Sequence, residues 1–107
     1  MDDLENLSFP VSAWSDGGNG YGFRLSNKSR DKFFSKEWKY VLLQLPDEEE
    51  PIKITLSHSF WKKCSELRSV EIRKWLFYNM LCPWKKGNPP KFLLVKRIEY
   101  FFQLRKP

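Results

Sequence analysis

The sequence predicts an α+β domain: a twisted antiparallel sheet or half-open β-barrel of about five strands, with one helical segment packed across it. Three observations carry this. Short runs with strand-period alternation lie toward both ends of the chain. Between them Phe60 to Met80 has helical spacing. The composition, 41% hydrophobic and 17% aromatic, supplies a core to 107 residues, a length that suits one domain.

Residues 1–19 read as an N-terminal arm and residues 20–107 as the domain. Asp16-Gly17-Gly18-Asn19-Gly20 is turn chemistry, because Gly and Asn tolerate positive φ. Gly20 to Ser26 alternates, with Tyr21, Phe23 and Leu25 on one face, and predicts the first strand. Asn27 to Lys36, polar around Phe33-Phe34, suggests a short helical turn. Trp38 to Leu45 is rich in strand formers, and Ile52 to Ser57 alternates with Ile52, Ile54 and Leu56 inward. Pro46 to Pro51 separates them as a loop, since adjacent glutamates repel and proline bounds both ends, so the two runs predict a hairpin.

Ser57 and Ser59 are candidate N-caps for the helical stretch. There Phe60, Leu67, Ile72, Trp75, Leu76 and Met80 share one broad face, and Lys62, Lys63, Arg73 and Lys74 fall largely on the other. A break near Cys64-Ser65 or at Ser69 would divide it into a short helix and a longer one. Pro83 ends it by disfavouring helical geometry at Cys82. Gly87, Asn88 and two prolines then turn the chain into strands at Lys91 to Val95 and Ile98 to Leu104.

Charge is unevenly spread. Residues 1–57 hold seven Lys/Arg against ten Asp/Glu, and residues 58–107 hold twelve against three. The halves carry −3 and +9, and the chain +6. A basic second half favours an anionic partner, such as nucleic acid or an acidic protein, although solubility alone accounts for a charged surface too. The opening MDDLENLSFP is acidic where a secretory signal would be basic then apolar, and no apolar run reaches the ~20 residues of a membrane span. Two separated cysteines, Cys64 and Cys82, complete the expectation of a cytoplasmic protein with reduced thiols and no membrane contact.

Enzymatic constellations are weak. His58 is the only histidine, and with Cys64 and Cys82 it makes three zinc-type ligands and no close pair. A spacing of six does not put His58 and Cys64 on one helical face, as a thiol nucleophile and its base require. Glu66 and Glu71 sit among basic residues, which predicts ion pairs rather than an acid–base couple. GGNGYG lacks the Lys-Ser/Thr that a phosphate loop needs and leads into a strand. No metal, cofactor or catalytic residue is expected, and the protein reads as non-enzymatic.

The basic-aromatic residues carry the functional expectation. Lys62, Lys63, Arg73, Lys74, Lys85, Lys86 and Lys91 are candidates for phosphate contact, with Arg24 and Arg30 as an extension. Trp84 either stacks on an unpaired base or plugs the core beside Pro83. The acidic 46–51 loop is expected to lie away from this surface. The function predicted is contact with DNA or RNA through the basic half. The alternative is a small interaction or regulatory module, such as a phage-type inhibitor, docking on an acidic protein.

GYGFRLSNKSRDKFF, FWKKCSELRSVEIRKWL and PWKKGNPPKF together resemble a set of small uncharacterised bacterial proteins. The pattern is GYG-x-R, a D-R-D-x-[FY]-F-like box matched only in part at Lys28 to Asp31, F-W-x-x-C-x-E-L-R-S and P-W-x-x-G-x-P-P. The resemblance spans residues 20–92. It implies a shared fold and assigns no reaction.

Overall fold

Alternating side chains give the chain its strands, and in the computed structural model, which describes residues 7–62 and 65–106, seven of them form one sheet. In chain order they are β1 (Ser8–Ser15), β2 (Tyr21–Arg24), β3 (Tyr40–Gln44), β4 (Ile52–Thr55), β5 (Glu66–Arg68), β6 (Lys91–Ile98) and β7 (Phe101–Arg105). Helix α1 (Asn27–Phe33) follows β2, a 3₁₀ turn (His58–Trp61) follows β4, and helix α2 (Val70–Tyr78) follows β5. The spatial order is β4-β3-β7-β6-β1-β2-β5. All neighbours are antiparallel except β3 and β7, which run parallel. The sheet curls so that edges β4 and β5 approach each other, and the architecture is α+β and nearly barrel-shaped.

The class is as the sequence predicts; the details differ at three places. There are seven strands rather than about five, and the sheet is mixed rather than wholly antiparallel. The segment expected as an arm, residues 1–19, contains β1, which lies between β6 and β2. Its Phe9, Val11 and Ala13 point inward, while Pro10, Ser12 and Trp14 point out. The stretch expected as helical holds a strand in its middle. Leu67 of β5 pairs with Phe23 and is fully buried, a placement that stabilises by about 1.5–3 kcal/mol and outweighs local helical spacing.

The expected break at Ser69 is where α2 starts. The Ser69 hydroxyl accepts the Glu71 N–H at 3.0 Å, satisfying one free amide of the first turn. Helix α2 buries Ile72, Trp75 and Leu76 against the sheet. It ends at Tyr78, before Pro83, with Met80 at a φ of 59°. The core is mostly aromatic: Phe9 stacks on Phe33 and Phe34 on Phe102, each at 4.7 Å between ring centres.

Candidate basic-aromatic cleft

Three segments converge at one rim of the sheet. The β1–β2 hairpin closes through Asp16, whose carboxylate accepts the amides of Gly18 at 2.7 Å and Gly20 at 3.1 Å. The turn thus spends these glycine amides on its own aspartate. Across the rim runs the 83–90 loop, joined to β1 by the Ala13 N–H donating to the Pro90 carbonyl at 2.8 Å. Gly87 has a φ of 85°, a conformation that favours glycine, and the Asn88 N–H donates to the Lys85 carbonyl at 2.9 Å.

Between hairpin and loop lies an open cleft of about 400 Å³. Trp14, Tyr21 and Trp84 line it, with Arg24, Ser12 and Pro89. All three rings are half-buried. Tyr21 meets Trp84 edge-on at 6.0 Å and Phe77 of α2 at 5.8 Å. Trp84 is therefore neither a core plug nor a free platform: part of it packs on Tyr21 and part lines the cleft.

Register explains how Trp14 is held. Trp14, Gly22 and Arg68 are partners across β1, β2 and β5 on the outer face. Because Gly22 has no side chain, the Arg68 guanidinium reaches over it to lie 4.4 Å from the Trp14 ring centre. Arg24 approaches the same ring at 5.9 Å. Both arginines converge on Glu66, which pairs with Arg24 at 3.0 Å and Arg68 at 3.2 Å. Its side chain is 2% exposed, a burial that the two guanidinium groups make tolerable. Glu66 thus makes the ion pairs expected of it, but on a strand and not on a helix.

The expected basic residues divide. Lys85 and Lys86 are exposed in the loop between Trp84 and Gly87, which both line the cleft. Lys91 is exposed on β6 in register with Ser12, itself in register with Arg24, so the three form a row across the outer face. Arg73 lies on the near flank of α2, 5.2 Å above the Phe77 ring. Its charge opposes the upward push that burial gives the nearby Cys82 thiol. Lys62 is exposed after the 3₁₀ turn, and Lys63 lies outside the described residues.

Two expectations do not hold. Lys74 lines a recess on the far flank of α2 with Asp47, Glu48 and Glu71, so the acidic loop sits beside part of the expected basic surface. The Trp75 indole N–H donates to the Pro46 carbonyl at 3.2 Å and ties that loop to the helix. Arg30 is buried in α1. It donates to the Phe60 carbonyl at 3.1 Å and the Ser65 hydroxyl at 3.2 Å, which makes it part of the interior.

Trp14 and Arg68 are the residues sequence reasoning missed, and Glu66 was expected to form ion pairs but not at this site. The signal was available for Trp14: inward alternation of Phe9, Val11 and Ala13 puts it outward, just before a turn. Among the described residues, no three His, Cys, Asp or Glu side chains gather as a metal site, and no helix is long and apolar enough to cross a membrane. No protein-family model, curated protein or solved structure matches the chain.

Proposed function

We propose that the protein is a non-enzymatic domain that binds nucleic acid, DNA or RNA, at the cleft between the β1–β2 hairpin and the 83–90 loop. One observation carries the reading: three partly open aromatic rings share a cleft with Arg24, and exposed Lys85 and Lys86 stand on its rim. Cations there neutralise phosphates and release counterions, while the rings offer apolar faces to bases. Lys91 extends the row of charge over the sheet, whereas Lys74 belongs with the acidic loop. The two separated cysteines favour a reducing, cytoplasmic setting.

Fluorescence anisotropy with labelled oligonucleotides across a salt series tests this. Binding should weaken linearly on a log–log plot, and Lys85→Ala with Lys86→Ala should flatten the slope by about 1.4 for a single strand. Flat anisotropy at low salt removes the proposal. An equal loss on Lys74→Ala would return the surface to α2.

A second reading has its own observation. Phe77, Tyr78 and Met80 at the end of α2 are 46%, 86% and 90% exposed. Beside Arg73 they would suit an acidic protein partner, the interaction-module alternative. Recovery of one protein from a nuclease-treated lysate, lost on Tyr78→Ser with Met80→Ser, would favour it.

A further inference from the structure

We infer that the nucleic acid taken by this cleft is unpaired: a single strand, with bases against Trp84 and Trp14 and its backbone along Arg24 and Lys91. The inference rests on the nucleic-acid reading and narrows it to one substrate class.

The rings decide first. Trp14, Tyr21 and Trp84 line a recess rather than a projecting ridge. In a duplex the faces of the bases are covered by their neighbours, so rings set in a recess have nothing to stack on. A base turned out of an unpaired strand can enter and expose a face. At about 400 Å³ the cleft lies toward the small end of the ~300–1,000 Å³ typical of ligand sites, a space that admits nucleobases but not a double helix.

Among the described residues, no groove reader faces this side. Direct reading of a duplex uses a helix or ribbon that carries polar side chains into the major groove. Helix α2 is the nearest helix to the cleft, through Phe77 on Tyr21. Its exposed residues include Val70, Phe77 and Tyr78, and its Lys74 lies beside Asp47 and Glu48.

The path of the backbone follows from a shared wall. A second groove, lined by Pro10, Ser12, Arg24, Ser26 and Lys91, has Ser12 and Arg24 in common with the aromatic cleft. The two are one track across β2, β1 and β6. Lys91 and Arg24 are two strands apart in it, about 10 Å at ordinary strand spacing, a span of a few nucleotides. Glu66 fixes Arg24 from beneath through its Nε at 3.0 Å, leaving Nη1 without a partner among the described residues. This is the arrangement a backbone phosphate needs: an aimed guanidinium beside a serine hydroxyl, with a lysine at the far end.

The test compares labelled oligo-dT and oligo-U with a duplex of equal length at the same low salt, by anisotropy. The single strands should bind at least about tenfold tighter than the duplex, the order of one base stacked on an aromatic ring. Trp84→Leu should lose about that factor and Trp84→Phe, which keeps a ring, should recover most of it. If Trp84→Leu fails to fold, Lys91→Ala takes its place: it should weaken single-strand binding, and Lys53→Ala, on β4 and lining neither groove, should not. Equal affinity for duplex and single strand, with Trp84→Leu or Lys91→Ala silent, overturns this inference and leaves nucleic-acid binding standing. No binding of any oligonucleotide, with capture of poly-glutamate instead, overturns both and favours the acidic protein partner.

Discussion

Replacing Glu66 with glutamine separates the charge of the cleft from its geometry. The change keeps the shape of the side chain and removes one negative charge from a chain of net charge +6. Two ion pairs, at 3.0 Å to Arg24 and 3.2 Å to Arg68, lose their charge. A hydrogen bond to a charged group contributes about 1.5–3 kcal/mol. Here the Glu66 end is 2% exposed, but the Arg24 and Arg68 side chains are 56% and 52% exposed, and water screens both. Exposed pairs contribute about 0–1 kcal/mol, and the glutamine oxygen still accepts one bond, so the whole change should cost about 2 kcal/mol. That corresponds to a fall in Tm of roughly 8 °C, measured by circular dichroism. Binding gives the sharper result. Counterion release alone makes the more positive variant bind as well or better. If Glu66 works by aiming Arg24, single-strand affinity instead falls about fivefold, ~1 kcal/mol, despite the gain in positive charge. Tighter binding at every salt concentration would refute the positioning argument, and an unchanged Tm would refute the energetic one.

Gly22→Ala should cost about 2–5 kcal/mol, seen as a lower urea midpoint. The new Cβ would run into the Leu67 carbonyl oxygen and lie 3.0 Å from Arg68 Cα, so β5 must leave β2 and draw buried Leu67 with it. A midpoint equal to the parent's would show that β5 shifts without loss. Cys82 should make stability fall at alkaline pH. Burial raises its thiol above an ordinary value near 9, with the charge of Arg73 opposing. The folded state thus favours the neutral thiol: this contribution is fully present below the unfolded value and lost as pH rises through the raised folded one. Urea midpoints from pH 8 upward should decline more steeply for the parent than for Cys82→Ala, and parallel curves would remove the effect.

Most strands were legible because alternation survives in any context where one face is buried. Phe23 with Leu25, Val41 with Leu43, and Phe102 with Leu104 are all inward, as their spacing requires. Strand β1 carries the same signal at Phe9, Val11 and Ala13, but Pro10 argues against an internal strand. The structure resolves the conflict by register. Ala13 donates toward the β6 side, so the Pro10 nitrogen, three residues back, faces the β2 side. There the described β1–β2 pairing begins only at Ser12, and the missing N–H breaks no ladder bond. Strand β5 was not legible: three residues have no period of their own, and Leu67 fits a helical face and a strand face equally well. Its choice is made by Phe23, more than forty positions away in the chain. The site shares that difficulty. Trp84, Lys85, Lys86 and Lys91 stand out as residues, and alternation turns Trp14 outward, but only the hairpin register sets Trp14 opposite Gly22 and beneath Arg68.

Net charge by halves also hides direction, and the acidic loop shows why that matters. Counted along the chain, Arg73 and Lys74 are one basic pair. On α2 they lie on opposite flanks, one toward Phe77 and the cleft, the other in a recess with Asp47, Glu48 and Glu71. Charges that share a recess fall within the ~8 Å over which physiological salt leaves them coupled, so Lys74 is more than neutralised and the far flank of α2 is net negative as an approaching anion meets it. The Trp75 indole bond to Pro46 keeps the loop there, so the neutralisation is part of the fold. On the cleft side Lys85 and Lys86 on the rim, and Lys91 at the end of the track, stand exposed and make no ion pair among the described residues. Arg24 and Arg68 share the single charge of Glu66 and leave one positive charge between them. An acidic loop beside a basic helix thus removes the far flank of α2 as a direction from which a polyanion would be drawn.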